Sequence, residues 1–197
     1  MQSVALKRFR LILWVLVAVA AIGATALFVF APPKGPAGLG RGSYSMVDQN
    51  GAPVTEAIFK GHPSLLFFGY THCPDVCPTT MGEMQTWFAT LGDSAKDLKA
   101  YFVTVDPTRD TPAILKDYVS WVSDRITGLT GSQEQIDKVV KTWGVVAEKV
   151  PGDGENYTMN HTASVFLLDR DGNFQSTIAY QENPDTAVAK IRRLVGA

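Results

Sequence analysis

The two cysteines of the sequence, Cys73 and Cys77, are separated by three residues in a short loop that contains proline. An apolar run typical of a buried strand precedes them, and Pro78 suits the first position of a following helix. Because a residue before proline avoids the helical region, Cys77 is expected just outside that helix. The free N–H groups and the dipole of a helix N-terminus favour thiolate over thiol. We therefore predict a reactive pair that binds metal or attacks disulfides; a structural disulfide and two inert buried thiols are the alternatives.

An uncharged apolar stretch near the N-terminus runs from Leu11 to Ala31 and, at 21 residues, is long enough to cross a bilayer. Lys7, Arg8 and Arg10 precede it, which keeps the N-terminus in the cytoplasm and exports the rest. A cleaved signal peptide is the alternative, but the apolar run continues past the candidate cleavage site. We predict a cytoplasmic tip and one transmembrane anchor over residues 1–31, in the inner (cytoplasmic) membrane, with the C-terminal domain in the periplasm.

The part of the chain after the anchor is mildly acidic. Three of the 18 basic residues precede position 34, which leaves 15 basic against 19 acidic residues and a net charge of −4. Such a charge argues against a nucleic-acid partner. Two cysteines in an oxidising compartment could pair, but one closely spaced pair is a weak staple for a domain that can build its own core. Charge and cysteine usage together favour a chemical role for the pair.

Strands and helices alternate after a linker rich in proline and glycine at residues 32–43, and residues 44–197 form the predicted folded domain. Strands are predicted at residues 44–48, 64–70, 98–105, 128–130 and 145–150, a hairpin at 163–169 and 174–180, and helices at 78–91, 111–121, 132–143 and 184–195. The alternation implies an α/β fold whose mixed sheet is covered on both faces. A strand, a cysteine loop and a helix, followed by a late hairpin and a closing helix, form the layout of a thioredoxin-like fold.

Two further features of the domain have competing interpretations. Met81 and Met84 follow helical spacing, so core packing is favoured over a role as copper thioether ligands. Asp106, at the end of a strand, could orient loops near the site or contact a partner, or it could simply form the Asp-Pro turn that leads into a helix.

Three motifs occur in a specific order along the domain. They are Gly69-Tyr70-Thr71-His72-Cys73-Pro74-Asp75-Val76-Cys77-Pro78, Val105-Asp106-Pro107-Thr108-Arg109-Asp110-Thr111-Pro112, and Asn160-His161-Thr162. Together they closely resemble the Sco/SenC family, from about Tyr44 to Leu194. The resemblance implies a thioredoxin-like copper-binding domain whose ligands are Cys73, Cys77 and His161. It also implies a metallochaperone that helps assemble the binuclear copper centre of cytochrome c oxidase.

The implied partners are the copper-bearing subunit of that oxidase, other copper carriers and thioredoxin-like reductants. In one departure, Asn160 stands where the family more often has aspartate, and a neutral amide would orient the imidazole more weakly. Of the other histidines, His72 is expected to point away from the first sulfur, and His62 is expected in solvent.

The chemistry of these residue types agrees with the resemblance. Two thiolates and one imidazole suit Cu(I) and can also hold Cu(II), whereas structural zinc sites prefer four protein donors. Two functions remain open. The first is copper binding and transfer, and the alternative is a thiol-disulfide oxidoreductase that reduces the copper-ligand cysteines of the oxidase subunit. Three residues between the cysteines, with His161 in place of a proline, favour the first.

Overall fold

The computed structural model describes residues 4–30, 38–152 and 156–196. The chain divides into two compact units, residues 1–34 and 35–197, and the first contains one helix, α1 (Val4–Phe30). Within the described ranges, no helix combines the length and the apolar character that crossing a membrane requires. The transmembrane segment over residues 11–31 stays a prediction, and Ala31 and residues 32–37 of the predicted linker lie outside the described ranges.

The second unit is built on a seven-stranded mixed sheet with the order β2-β1-β5-β4-β3-β8-β9. The strands are β1 (Ser45–Asp48), β2 (Pro53–Thr55), β3 (Ser64–Gly69), β4 (Lys99–Thr104), β5 (Ile126–Thr130), β6 (Ala147–Pro151), β7 (Tyr157–His161), β8 (Val165–Leu168) and β9 (Phe174–Ile178). Strands β3, β4 and β5 pair in parallel, and the other pairs are antiparallel. Strands β6 and β7 form a separate antiparallel ribbon.

Four helices accompany the sheet: α2 (Val76–Leu91), α3 (Pro112–Val122), α4 (Gln133–Thr142) and α5 (Pro184–Val195). Two short 3-10 turns cover Glu56–Phe59 and Gly92–Ala95. Three helix starts follow the predicted capping chemistry, because the side chains of Thr111, Ser132 and Asn183 accept hydrogen bonds from N–H groups of the first turn.

The hydrophobic core surrounds β3, whose six residues are all buried between β4 and β8. A strand covered on both faces reads as a continuous apolar run, which is why its position could be predicted. Met81 and Met84 of α2 are completely buried, so the prediction that they pack in the core is confirmed.

Two predicted boundaries near the cysteines and the histidine are wrong. Helix α2 begins at Val76, so Cys77 lies inside its first turn; a first-turn N–H has no intrahelical partner, and Pro78 is therefore tolerated there. Strand β7 was not predicted, and His161 is its last residue rather than part of a loop before the next strand. The predicted turn at residues 151–154 falls partly outside the described residues.

Candidate metal centre

The dithiol loop, residues 70–77, leaves the carboxyl end of β3 and leads into α2. The Cys73 N–H donates to the Tyr70 carbonyl at 3.2 Å, which turns the chain toward the helix. The Cys77 N–H, in the first turn of α2, donates to Cys73 Sγ at 3.4 Å. Neither cysteine is in a disulfide, and Cys73 is partly exposed while Cys77 is buried. The sulfur of Cys73 therefore accepts a hydrogen bond from the N-terminus of α2, where a thiolate is stabilised.

Gly69, the last residue of β3, gives the buried sulfur its space. A Cβ at this position would lie 2.8 Å from Cys77 Sγ and 2.8 Å from the ring of Phe102. The absence of a side chain here allows the strand, the core and the second cysteine to approach one another.

His161 reaches the dithiol loop from β7. Its ring packs edge-on against Tyr70 and Phe67, with centroids 5.7 and 6.0 Å away, and its Nε2 lies 3.4 Å from Cys77 Sγ. Its Nδ1 lies 3.1 Å from the carbonyl oxygen of Thr162. Because a carbonyl can only accept, Nδ1 carries a proton, and the other ring nitrogen, Nε2, faces the sulfurs.

The residue before this histidine does not orient the imidazole. Strand alternation places Asn160, which is exposed, on the opposite face of β7 from His161. The Thr162 carbonyl performs that task, and Thr162 is itself held by two hydrogen bonds with the backbone of Val146, at 3.1 and 3.0 Å. The weaker orientation expected from an amide at position 160 therefore does not apply to this hydrogen bond.

The two sulfurs differ in their affinity for a proton. Hydrogen bonding from the Cys77 thiol lowers the pKa of Cys73 to about 3, and contacts with His161 and with the backbone of Cys77 and Asp75 also lower it, against the opposing effect of burial. The same interaction with Cys73, together with burial, raises the pKa of Cys77. At neutral pH the partly exposed sulfur is a thiolate and the buried one is a thiol.

The three residues predicted as ligands come together. The Sγ atoms of Cys73 and Cys77 and a ring nitrogen of His161 all lie within 4.8 Å of one another. Two sulfurs and an imidazole nitrogen form a soft to borderline donor set that fits Cu(I) and can hold Cu(II). With three protein donors, the set leaves room for a further ligand or for a partner's donor.

The other two histidines lie outside this group. His72 is exposed, and its Nδ1 lies 3.0 Å from the hydroxyl of Thr71, so it points away from the sulfurs as predicted. His62 is partly buried, with Nδ1 3.1 Å from the Ser64 hydroxyl and Nε2 3.3 Å from the Tyr101 hydroxyl. The prediction that His62 is simply solvated is wrong, because two hydroxyl groups and the Tyr101 ring surround it.

The loop between β4 and α3 supports the dithiol loop through a buried acid. The carboxylate of Asp110, which has no exposed surface, accepts the Thr71 N–H at 3.0 Å and the hydroxyls of Thr71 and Thr104, both at 2.6 Å. Burial raises the pKa of Asp110, and the hydrogen bonds from the two threonines oppose that rise. Since Thr71 lies two residues before Cys73, this carboxylate fixes the point at which the dithiol loop begins.

The same loop also holds the strand that ends in His161. The buried carboxylate of Asp106 accepts the Tyr157 hydroxyl at 2.8 Å and the Nε–H of Arg109. Arg109 also donates to the Tyr157 carbonyl at 3.1 Å, and its guanidinium lies 3.6 Å from the centroid of the Tyr157 ring. Tyr157 is the first residue of β7 and His161 the last. Asp106 therefore has the loop-orienting role that was one of its predicted alternatives.

Four positioning residues were missed by the sequence analysis: Thr71, Arg109, Asp110 and Tyr157. The available signal was the grouping of two acids and an arginine directly after a buried strand, where strand ends meet in an α/β sheet. These charged residues contact segments that lie 39 to 51 positions away in the sequence. A local sequence pattern does not predict contacts over such a separation.

A dithiol loop at a helix N-terminus, opposite an imidazole, on a mixed sheet of this layout defines a dithiol protein of the thioredoxin-like class whose donor atoms could hold a metal ion. Residues 33–196 match the family model described as SCO1/SenC. The chain belongs to the SCO1/SenC family.

Individual relatives agree with this assignment. The chain is similar to the SCO2-like protein of Rickettsia felis, with 34% identity over 145 residues that cover 73% of this chain and 71% of the relative. It is also similar to a solved structure of Bradyrhizobium japonicum ScoI with copper bound, with 44% identity, a TM-score of 0.72, and coverage of 78% of this chain and 98% of the other. For yeast Sco1 with copper bound, the identity is 32% and the TM-score 0.72, with coverage of 84% and 90%.

Proposed function

We propose that this protein binds copper through Cys73, Cys77 and His161 and acts as a metallochaperone in assembly of the binuclear copper centre of cytochrome c oxidase. The observation that carries the proposal is the convergence of two sulfurs and one imidazole nitrogen within 4.8 Å. These donor types match the preference of Cu(I). A relative 44% identical to this chain is described with copper bound, which supports the same cargo here.

The protonation states of the two cysteines define the order in which donors bind incoming copper. The Cys73 thiolate is partly exposed and already deprotonated at neutral pH, so it is the first donor that incoming copper meets. His161 Nε2 already faces the sulfurs, while the Cys77 thiol has to lose its proton before it binds. Loading therefore releases the Cys77 proton, and copper affinity falls as the pH falls.

The direct test is copper binding by the reduced full-length chain. We expect one Cu(I) per chain, with at least the two cysteine sulfurs and one imidazole as neighbours in X-ray absorption spectra. Replacement of either cysteine by serine should greatly weaken binding, since a hydroxyl is a hard donor. His161→Ala should also weaken it, and His72→Ala, a matched histidine change on the neighbouring loop, should not. A spectrum without sulfur neighbours would refute the assignment.

A thiol-disulfide reductase is the second candidate, and the unequal sulfurs favour it. The Cys73 thiolate could attack a partner disulfide to form a mixed disulfide and release one partner thiolate. Cys77 would then attack Cys73 Sγ, leaving a Cys73–Cys77 disulfide and a second reduced partner sulfur. Such a disulfide removes the thiolates that hold copper, so the two functions exclude each other in any one redox state.

His161 separates the two functions, because it donates to copper but is not needed to form the disulfide. We expect His161→Ala to lose copper and to keep a reducible disulfide. Failure of oxidase assembly in this variant would establish copper handling as the function. Normal assembly in His161→Ala combined with failure in Cys73→Ser would reject the copper-carrier proposal in favour of the reductase.

The proposed location is the periplasmic face of the inner membrane, with a single N-terminal anchor. The uncharged stretch over residues 11–31 supports it, as do the exposed apolar side chains along α1 from Leu6 to Ile22. A reporter fused after Gly42 should be active only when that reporter works outside the cytoplasm. A cytoplasm-active fusion would overturn both the orientation and the proposed compartment.

A further inference from the structure

A cleft of about 300 Å³ opens beside the three ligand atoms. One wall is the dithiol loop, with Cys73, Pro74 and Val76, and the other is β7, with Met159 and His161. The cleft therefore lies on the exposed side of the dithiol pair, and it brings a thioether side chain alongside two of the candidate copper ligands.

The position of Met159 follows from the alternation of β7. Met159 and His161 are both partly buried and share one face of the strand, while the residues between and before them are exposed. The ring of Tyr70, which also lines the cleft, packs edge-on against His161, with centroids 5.7 Å apart.

We propose that Met159 supplies its thioether sulfur as a fourth donor to copper held by Cys73, Cys77 and His161. The inference rests on the copper site proposed above. Three donors leave a Cu(I) ion open on the side of the cleft, and thioether sulfur is one of the soft ligands that Cu(I) prefers. The unbranched, flexible side chain of methionine can adjust toward an ion without a change in the strand.

Other groups in the cleft are poorer donors for this ion. Asp75 and Asn160 also line it, but both offer hard oxygen atoms, and Asn160 lies on the face of β7 opposite His161. Met46, Met81 and Met84, the other methionines in the described part of the chain, have at most 2% exposure and act as core residues. Met159 alone among these four combines partial exposure with a place in the cleft.

The test uses the reduced full-length chain labelled with selenomethionine and loaded with Cu(I). X-ray absorption at the selenium edge should detect copper as a neighbour of selenium in the wild-type protein. Met159→Leu, a change that conserves volume, should abolish that signal. Met46→Leu, the same change in the core strand β1, should keep it. Absence of the signal in the labelled wild-type protein would overturn the proposal without reference to any variant.

Affinity gives an independent measurement. Competition with a chromophoric Cu(I) chelator should show a Kd about tenfold higher for Met159→Leu, equivalent to about 1.4 kcal/mol, and an unchanged Kd for Met46→Leu. If Met159→Leu binds as tightly as wild type and copper retains two sulfurs and one nitrogen, Met159 only packs, and the proposed copper site stands. If the wild-type protein holds no copper through sulfur, the copper site itself is wrong and this inference falls with it.

Discussion

Replacement of Asp110 by alanine tests whether the loop after β4 holds the dithiol loop in place. Its carboxylate is completely buried and accepts three hydrogen bonds, from the Thr71 amide, the Thr71 hydroxyl and the Thr104 hydroxyl. Alanine removes all three and leaves buried donors behind. The Thr71 N–H belongs to the backbone and cannot rotate to another partner, whereas the two hydroxyls can.

The cost can be worked from those contacts. A buried donor left without a partner costs roughly 1–3 kcal/mol of folding free energy. The loss of the Thr71 amide hydrogen bond alone is therefore expected to cost this amount. The hydroxyl bonds add to this, and removal of a buried charge returns part of the desolvation energy. We expect Asp110→Ala to lower the free energy of unfolding by about 3 kcal/mol.

Urea denaturation of the reduced, copper-free protein measures this difference, and Asp117→Ala provides a matched control because Asp117 is exposed on α3. We expect the control to change stability by no more than about 0.5 kcal/mol. A loss below about 1 kcal/mol for Asp110→Ala, with an unchanged denaturant slope, would show that the carboxylate does not support the loop.

The pH dependence gives a second check on the same residue. Burial raises the pKa of Asp110 above its unfolded value of about 3.9. Between the unfolded and the folded pKa, the folded state therefore binds more protons than the unfolded state. The stabilisation that comes from the raised pKa of Asp110 is fully present below the unfolded pKa and is lost as the pH rises through the folded pKa. The stability of the wild-type protein relative to Asp110→Asn should therefore increase as the pH is lowered through the folded pKa, and an opposite slope would contradict the assigned burial effect.

Three further outcomes are expected. Gly69→Ala should destabilise the protein by roughly 1–3 kcal/mol in urea denaturation, because its Cβ would meet Cys77 Sγ and the Phe102 ring; an unchanged midpoint would contradict this. Iodoacetamide should modify Cys73 well before Cys77, with a rate nearly constant from pH 7 to pH 5 because the pKa of Cys73 lies at about 3; equal labelling in mass spectra would refute the unequal pair. Arg109→Lys removes the planar guanidinium that bonds Asp106 and stacks on Tyr157, so it should weaken Cu(I) binding about tenfold in chelator competition. Unchanged affinity would show that Arg109 is not needed to hold β7 in place.

Most of the fold could be predicted because its signals are local. The buried strand β3, the helix caps and the turn between β8 and β9 each depend on a few neighbouring residues. Strand β6 was predicted at residues 145–150, whereas its partner β7 was missed because neither strand of this ribbon has a buried apolar face. Four of the five β6 residues are exposed, and β7 alternates between partial burial and exposure without an apolar run. A ribbon outside the main sheet has no buried face that would force such a run.

In the candidate site, too, residues with a local sequence signal could be predicted and those without one could not. The cysteines could be identified from their own spacing, whereas His161 required the family resemblance, since a single histidine in a polar segment has no distinctive pattern. The boundary error at α2 has a physical cause. A residue before proline prefers an extended backbone, but Cys77 also donates its N–H to Cys73 Sγ. This hydrogen bond opposes the preference and helps to hold Cys77 in the first helical turn.

The loop after β4 explains how ligands from two separate segments reach one point. Asp110 holds the dithiol loop through Thr71, while Asp106 and Arg109, in the same turn, hold Tyr157 at the start of β7. A single turn of five residues therefore sets the distance between the sulfurs and the imidazole. Because that distance is set by contacts that do not include the metal, copper binding requires little ordering of the protein. The cleft beside the ligand residues is open to solvent, so a copper ion held there would be accessible to donor atoms of a partner while the turn keeps its hydrogen bonds.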